Sequence, residues 1–240
     1  MRLHHKIIHP SALTTGQHEQ MFNLFVSHYD CVARSAFETD LAGKTWVILL
    51  MDHTETIRGF STQEIYERQD QGQPILVLFS GDTIIDPACW GSQELVRGWC
   101  AVAARMLQEA GERPCYWFLI SKGYRTYLYL PLFFKEYYPQ HEGRGARLKP
   151  LLDQLARDKF STDYDSEQGL IRFPIPRGQL GGQLHEIPVA RQQDPAVAFF
   201  HARNPDFARG VELACLAQIS IANTHGIGRR LLEQASSILP

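Results

Sequence analysis

Apolar positions along this chain follow two periods, one typical of strands and one typical of helices. Short, nearly continuous apolar runs at 46–51 and 75–80 predict buried strands, because a strand covered on both faces carries little polar alternation. Apolar residues spaced three and four apart over 18–34 predict an amphipathic helix. Strands are predicted at 2–9, 46–51, 57–65, 75–80, 115–120, 170–173 and 211–219, and helices at 18–34, 37–42, 93–110, 148–159, 194–201 and 229–236.

One predicted strand ends in a cluster of polar side chains. The apolar run 116–120 stops abruptly, and the residues that follow it are Ser121, Lys122, Gly123, Tyr124 and Arg125. An open α/β sheet builds its ligand crevice at the carboxyl ends of strands, so we expect a binding site at this turn. Residues 124–137 beyond it are rich in aromatics and leucine. Their spacing allows a helix that Pro131 either breaks or starts.

Composition limits the classes of function. The chain has 240 residues, a formal net charge of −2 and a pI near 6.5, which does not predict the basic face of a nucleic-acid-binding protein. No run approaches the roughly 18 apolar residues of a membrane span, and residues 1–6 lack a signal peptide's apolar run, so we expect a cytoplasmic protein. The five widely spaced cysteines predict reduced thiols, and the scattered histidines predict no metal site.

The order of the predicted elements resembles that of one known family. A strand, two helices, three antiparallel strands, a long helix and a further strand occupy just over half of the chain, and segments 46–50, 57–62 and 116–123 carry the local likeness. This order is similar to that of the GNAT superfamily of acyl-CoA N-acyltransferases. The resemblance implies an α/β fold of the α+β type, with a mixed, mostly antiparallel twisted sheet flanked by helices. It further implies a GNAT-like core over 1–142 and a C-terminal α/β extension over 143–240 that completes the sheet and the acceptor site.

The resemblance also implies where an acyl donor binds. In GNAT proteins the fourth and fifth strands splay apart, and the acyl-pantetheine arm lies in the gap against backbone groups of the fourth strand. Residues 78–83 correspond to that edge, where Gly81 permits a bulge and a close backbone approach. The donor-binding candidates on this edge are Phe79, Ser80, Gly81 and Thr83. The alternative is an ordinary strand end with a turn glycine, since Ser-Gly-Asp is common turn chemistry.

The family's pyrophosphate loop, Gln/Arg-x-x-Gly-x-Gly/Ala, is only partly present. Before the long helix the chain offers one glycine, Gly91, followed by Ser92, as candidates for holding a donor phosphate, whereas the nearby Asp86 repels one. This departure favours a donor on an acyl carrier protein over ordinary CoA. A closer match at 226–228, with Asn223 in the Gln/Arg position, is either chance or a rearranged fold.

Candidates for chemistry surround the predicted crevice. N-acylation needs an acceptor for the amine proton and a donor for the leaving thiol. Family members usually protonate the thiol with a tyrosine or serine just after the fifth strand, a place that Tyr124, Tyr127 and the shorter Ser121 occupy here. Asp82 is the candidate base, because a partly buried carboxylate has a raised pKa. Core packing accounts for each tyrosine singly better than catalysis does, and turn capping accounts equally well for the aspartate.

Two cations flank the turn, and an apolar segment follows it. Lys122 and Arg125 either neutralise a phosphopantetheine phosphate or an acidic acceptor, or form a solvated surface pair. The aromatic stretch 127–138 either packs as core or lines a channel for a long acyl chain. The sequence thus predicts an N-acyltransferase that moves an acyl group from acyl-CoA or acyl-phosphopantetheine, used as co-substrate, to an amine of a metabolite or peptide. The alternative is a non-catalytic acyl- or pantetheine-binding or scaffolding protein on the same fold.

Overall fold

A mixed β-sheet organises the molecule. The computed structural model describes residues 2–30, 33–174, 179–180 and 187–238. Within these ranges eight strands form one sheet, in which each neighbouring pair is antiparallel except the fourth and fifth in spatial order. In that order the strands are β1 (His4–Ile8), β3 (Trp46–Met51), β4 (Ile57–Asp70), β5 (Gln73–Ile85), β6 (Cys115–Ser121), β10 (Glu212–Ile219), β8 (Leu170–Ile171) and β7 (Tyr164–Asp165). A separate antiparallel pair joins β2 (Tyr29–Asp30) to β9 (Gln179–Leu180).

Helices cover both faces of the sheet. In chain order they are α1 (Thr15–His28), α2 (Arg34–Ala42), α3 (Glu94–Ala110), α4 (Tyr124–Tyr127), α5 (Tyr129–Phe133), α6 (Lys149–Phe160), α7 (Val189–Gln192), α8 (Pro195–Arg203) and α9 (Gly226–Ile238). The helices α3 and α9 pack together on one face, whereas α1, α2 and α6 lie on the other. Of the helices described, none is both long and apolar enough to cross a membrane.

The long helix α3 forms one wall of the region between β5 and β6. Its buried residues Leu95, Trp99 and Met106 recur at helical spacing, which turns one apolar stripe toward the sheet. Gly98 on the same stripe allows close contact with β3, because an added Cβ would lie 2.5 Å from Cγ2 of Ile48. The Trp99 side chain of α3 is thereby held against the sheet.

The predicted fold class, a mixed and mostly antiparallel sheet flanked by helices, is confirmed. Two strands are longer than predicted, because β4 and β5 meet at a tight turn in which Gln71 and Gly72 have φ values of 49° and 82°. At its other end β5 continues through residues 80–82 to Ile85. The alternative of a strand end with a turn glycine is therefore wrong. Residues 124–137 contain the short helices α4 and α5. Pro131 lies within the first four residues of α5, whose N–H groups have no partner in the helix in any case.

The last third of the chain contributes to the same sheet. Strand β10 pairs antiparallel with β6 from Leu213 opposite Ser121 to Ile219 opposite Cys115, and then with β8 on its other side. Helix α9 follows and packs along α3. Residues beyond 142 thus extend the sheet of the first segment, while the boundary proposed at that position stays a prediction.

Candidate active site

Strands β5 and β6 part before they end. Their parallel pairing runs from Leu76 opposite Cys115 to Ser80 opposite Leu119. Beyond that rung β5 continues to Ile85 paired with β4, and β6 turns its remaining residues toward β10. A gap therefore opens between two adjacent strands at their carboxyl ends, and it has backbone on one side and aromatic side chains on the other.

A bulge in β5 marks the point of separation. Between the pairs Gln63–Ser80 and Ser61–Thr83, the two residues Gly81 and Asp82 lie opposite the single Thr62. The predicted bulge and close approach at Gly81 are thus present, but the groups that approach are side chains of this protein. A Cβ on Gly81 would lie 2.7 Å from Oγ1 of Thr62 and 3.2 Å from Nζ of Lys44. The bulge lets the strand change direction and leave β6.

Two neighbouring cavities lie at the gap. A narrow one of ≈ 30 Å³ lies between the strands, and its walls include Leu119 and Trp117 of β6 and Trp99 of α3. A wider one of ≈ 230 Å³ opens at the strand ends, between the loop before α3 and the turn after β6. The residues that line both cavities are Thr83, Thr126 and Tyr129. These three side chains therefore lie between the two cavities.

A chain of hydrogen bonds connects side chains along one wall of the narrow cavity. Trp117 Nε1 donates to Ser80 Oγ at 2.8 Å, and Ser80 Oγ donates to Gln63 Oε1 at 2.6 Å. Gln63 Nε2 donates to Ser61 Oγ at 2.7 Å, and Ser61 Oγ lies 2.7 Å from Thr83 Oγ1. Gln63 was not singled out from the sequence, although its spacing of two from Ser61 already placed both side chains on one face.

Charged groups gather on the opposite face of the sheet, beside the bulge. Burial raises the pKa of Asp82 to about 6; the Asp40 carboxylate acts in the same direction, and Lys122 and Lys44 oppose it. The Lys122 ammonium lies 3.4 Å from a carboxylate oxygen of Glu212 and 4.7 Å from the ring centre of Tyr29. Asp82 is half-buried and lies where the two strands part. Burial therefore brings the pKa of the carboxylate chosen as candidate base closer to neutral pH.

The predicted acids lie in different surroundings. Tyr127 is fully buried, and its hydroxyl donates to the carbonyl oxygen of Pro139 at 2.8 Å. Tyr124 is buried beneath the guanidinium of Arg125, at 4.8 Å from its ring centre. Ser121 is buried 4.0 Å from the Cys215 sulfur. Neither tyrosine occurs among the described residues that line the two cavities, and their catalytic roles stay a prediction.

Tyr129 is the tyrosine that borders both cavities, and burial raises its pKa. The sequence did not single it out, because the pattern around Pro131 does not show which aromatic side chains of residues 127–138 face a cavity. Phe79, a predicted donor contact, turns its ring to the opposite face, 5.3 Å from that of Phe118 and 6.1 Å from that of Phe160. Only its backbone is thus placed on the strand edge.

The loop before α3 closes the wider cavity. Trp90 is 42% exposed, and its Nε1 donates to the carbonyl oxygen of Ile85 at 3.0 Å. The guanidinium of Arg125 stacks 4.2 Å above the Trp90 ring. Gly91 has a φ of 102° with open space around it, as a backbone-only contact to a ligand requires. The rim therefore offers a cationic and aromatic surface.

Helix α3 begins at Glu94, two residues after the predicted cap. Ser92 Oγ still accepts from the Glu94 amide at 3.3 Å. The Glu94 carboxylate in the first turn lies 2.7 Å from Nδ1 of His5. Asp86 caps the preceding turn by accepting from Ala88 N at 3.0 Å. Two carboxylates near this helix end weaken its attraction for a phosphate.

The second glycine match near the C-terminus serves packing and loop fixation. Asn223 donates from Nδ2 to the carbonyl oxygens of Glu136 and Gln218, both at 2.9 Å, and its Oδ1 accepts from Glu136 N at 3.0 Å. Gly228 packs against Phe133, where an added Cβ would lie 2.8 Å from the ring. These contacts within the protein account for both residues.

Metal and thiol chemistry find little support in the described part of the chain. No group of three or more His, Cys, Asp and Glu side chains there is arranged to hold a metal ion. Cys89, Cys100, Cys115 and Cys215 are buried, whereas Cys31 lies outside the described residues. Burial raises the pKa of the Cys100 thiol to about 12 and that of Cys115 to about 11, which disfavours nucleophilic thiolates.

Comparison with known proteins gives similarity of fold. No family model and no curated protein matches the chain. A probable N-acyltransferase from Enterococcus faecalis matches over 91% of this chain and 66% of its own, with 10% identity and a TM-score of 0.43. A GNAT family N-acetyltransferase from Escherichia coli in complex with CoA matches over 51% and 65%, with 12% identity and a TM-score of 0.35. An aminoglycoside acetyltransferase from an uncultured soil metagenomic sample, in complex with sisomicin, matches over 49% and 76%, with 14% identity and a TM-score of 0.35.

The chain thus spans slightly less than two thirds of the first of these structures. The mixed, mostly antiparallel sheet flanked by helices that was expected from the sequence is present.

Proposed function

We propose that this protein is an N-acyltransferase whose acyl donor is a thioester of pantetheine. The observation that carries the proposal is the separation of β5 from β6 after Ser80 and Leu119, with a cavity at the point of separation. An extended pantetheine arm carries amide groups, and the exposed edge of β5 offers backbone groups that can pair with them as a strand would. The thioester then lies beside Thr83, where the two cavities meet.

The acceptor amine approaches from the face that carries Asp82. A neutral amine nitrogen attacks the thioester carbonyl carbon, so a base that takes its proton accelerates the reaction. Asp82 is half-buried at the gap and has a pKa of about 6, caused first by burial, which suits it to accept a proton near neutral pH. Glu212 and Asp40 add negative charge nearby and favour a cationic acceptor before it loses its proton.

The sulfur leaves on the side of the cavities. As the carbon–sulfur bond breaks, the thiolate takes a proton from a hydroxyl or from water. Tyr129 borders both cavities and is placed for that transfer. The role that the sequence assigned to Tyr124, Tyr127 or Ser121 passes to this neighbour in our proposal. All three remain as alternatives to be tested by substitution.

The donor carries few phosphates in this proposal. The α3 end has two nearby carboxylates, whereas Lys122 and Arg125 line the wider cavity. A single phosphopantetheine phosphate fits such a rim better than the pyrophosphate of CoA does. An acyl carrier protein is therefore the favoured donor, with acyl-CoA as the simpler substitute for assays, and the acceptor is an amine of a metabolite or a peptide.

Thermal unfolding with acetyl-CoA, a long-chain acyl-CoA and acyl-phosphopantetheine tests donor binding. A ligand at a hundredfold excess over its Kd adds about 2.7 kcal/mol to the stability of the folded state. Thr126→Tyr should abolish the shift by filling the junction of the cavities, whereas Thr39→Tyr on the exposed face of α2 should retain it. Thiol release in the presence of a panel of amines then measures transfer.

The outcomes separate the candidate functions. Stabilisation together with amine-dependent thiol release supports the transferase. Stabilisation without release by any amine favours the non-catalytic binding protein. Absence of both, with every donor, rejects the proposal.

A further inference from the structure

An uninterrupted chain of hydrogen-bonded side chains runs from β6 through β5 to β4 and back to β5, beside the narrow cavity. Gln63, its central member, is 0% exposed, and Ser61 and Ser80 on either side of it are buried. Polar groups at such depth are retained only when each finds a partner, because a buried amide without one costs on the order of 1–3 kcal/mol. The chain ends at Thr83, the member that borders both cavities.

The direction of this chain follows from its first donor. The indole N–H of Trp117 can only donate, so Ser80 Oγ accepts from it and places its own hydrogen on Gln63 Oε1. The Gln63 amide nitrogen then donates to Ser61 Oγ. Ser61 Oγ lies 2.7 Å from Thr83 Oγ1, and either hydroxyl can donate across this contact. When Ser61 is the donor, every hydrogen in the series points from Trp117 toward the cavity.

In that arrangement Thr83 accepts the last hydrogen bond and keeps its own hydrogen for the cavities. We propose that the Thr83 hydroxyl is a catalytic hydrogen-bond donor to the thioester carbonyl oxygen, and that Gln63 is a positioning residue that fixes the direction of that hydrogen. This inference rests on the proposed function, because it requires the thioester to lie at the junction of the cavities.

The step balances without a further reactant. The amine nitrogen forms a bond to the carbonyl carbon, and the negative charge that develops on the carbonyl oxygen accepts the hydrogen bond from Thr83. The carbon–nitrogen bond remains as the carbon–sulfur bond breaks, the sulfur leaves with the electron pair and takes a proton, and the amine gives up one proton to a base. Thr83 keeps its hydrogen throughout. A preoriented donor is effective here, because it needs no reorganisation as charge develops.

Substitution of Thr83 tests the donor directly. Thr83→Val keeps the shape and removes the hydroxyl, and we expect kcat to fall by roughly a hundredfold with a small change in KM. Thr83→Ser restores the hydroxyl and should recover most of kcat. The matched control Thr39→Val, on exposed α2, should leave kcat unchanged. A Thr83→Val enzyme with wild-type kcat overturns the inference.

Gln63→Glu keeps the shape of the side chain but lets its hydrogen bond with Ser61 change direction. When the carboxyl group of this variant is protonated, it accepts from Ser80 and donates to Ser61 as the amide does. When the carboxyl group is ionised, it accepts from both, which draws the Ser61 hydrogen inward and then the Thr83 hydrogen after it.

The ratio of variant to wild-type kcat should therefore fall as pH rises and the carboxyl ionises. The side chains that form hydrogen bonds with the Gln63 side chain are the neutral Ser61 and Ser80. The ionisable Asp82 and the charged groups that act on it, Asp40, Lys44, Lys122 and Glu212, are unchanged in the variant, so the ratio reports the substituted side chain.

The control for this charge change is Gln108→Glu on the exposed face of α3, whose kcat ratio should not vary with pH. A flat ratio for Gln63→Glu overturns the positioning role. If that variant does not fold, Ser61→Ala removes the hydrogen bond to Thr83 and should lower kcat severalfold at unchanged KM. An unchanged kcat in Ser61→Ala would also overturn the positioning role of Gln63.

A spectroscopic measurement separates this inference from the proposed function. The carbonyl stretch of bound acetyl-CoA, labelled with carbon-13 at the thioester, should lie at lower frequency in the wild type than in Thr83→Val. If donor binds and the two frequencies agree, the inference fails while the proposed function stands. If no donor binds and no amine is acylated, both fail together.

Discussion

The ammonium of Lys44 lies 3.2 Å from the point that a Cβ on Gly81 would occupy, so the bulge in β5 and this buried lysine depend on each other. The Lys44 side chain is 2% exposed and donates to Asp40 Oδ1 at 2.8 Å. In Gly81→Ala the new Cβ would lie 2.7 Å from Oγ1 of Thr62, and a β-branched residue has little freedom to withdraw. We expect the free energy of unfolding in urea to fall by about 1–3 kcal/mol.

Gly16→Ala is the matched control for that substitution. Gly16 lies in the first turn of α1, and the nearest atom to an added Cβ is Thr14 Oγ1 at 4.0 Å. Alanine favours helix over glycine by up to about 1 kcal/mol, so this variant should be as stable as the wild type or more so. Equal losses in both variants would contradict the packing argument.

Asp82 should make stability depend on pH. Burial raises its pKa from 3.8 to about 6, so between these values the folded protein binds more protons than the unfolded chain. The contribution of Asp82 to the free energy of unfolding is therefore most favourable below pH 3.8 and declines as pH rises through about 6. Asp82→Asn removes this dependence.

Urea unfolding of both proteins on either side of that window measures the effect. The stability of the wild type relative to Asp82→Asn should decrease with rising pH. If Asp82 is also the base, kcat/KM of the wild type rises through the same window and that of the variant does not. A stability difference that is constant with pH would show that the pKa of Asp82 is not raised in the folded protein.

Two neighbouring tyrosines should respond differently to loss of the hydroxyl. Tyr127→Phe removes a buried hydrogen bond to Pro139 and should cost about 1 kcal/mol of stability, with little effect on turnover. Tyr129→Phe changes a side chain that borders the cavities and should lower kcat with little effect on stability. Denaturation and thiol release measured on both variants distinguish the two. The reverse pattern would return the acid role to Tyr127.

Asn223 should act as a structural tie between the segment before Pro139 and the end of β10. Asn223→Ala leaves one amide and two carbonyl groups of Glu136 and Gln218 without this partner. We expect a loss of about 1–3 kcal/mol in the free energy of unfolding. Donor-induced stabilisation should persist, and its selective loss without destabilisation would instead favour a ligand role for this loop.

The sequence was sufficient for features that depend on local pattern. The apolar runs of β3 and β6 and the stripe of α3 each specify an element with few neighbours involved. The bulge at Gly81 was also predictable, because a glycine within a buried strand often marks a bulge or a close backbone approach. The length of β5 was not, since Ser80, Gly81 and Asp82 have turn propensities that the paired strand overrides.

The hydrogen-bond chain and the position of Tyr129 could not be predicted from the sequence, for a different reason. Gln63 looks like a solvent-facing residue in isolation, and its burial depends on Trp117 and Ser80 from two other strands. Tyr129 depends on how α4 and α5 turn around Pro131, which short helices leave to tertiary packing. Residues whose roles come from distant partners carry no local signal.

The position of β10 has a consequence for the nascent chain. While the ribosome has delivered only the residues through β6, that strand has one edge without its partner, and the partner lies about ninety residues further along the chain. An open edge of seven mostly apolar residues is a template for pairing with other chains. Production of this protein is thus expected to be sensitive to the speed of translation through the segment between β6 and β10, and to chaperones that cover exposed strands in that interval.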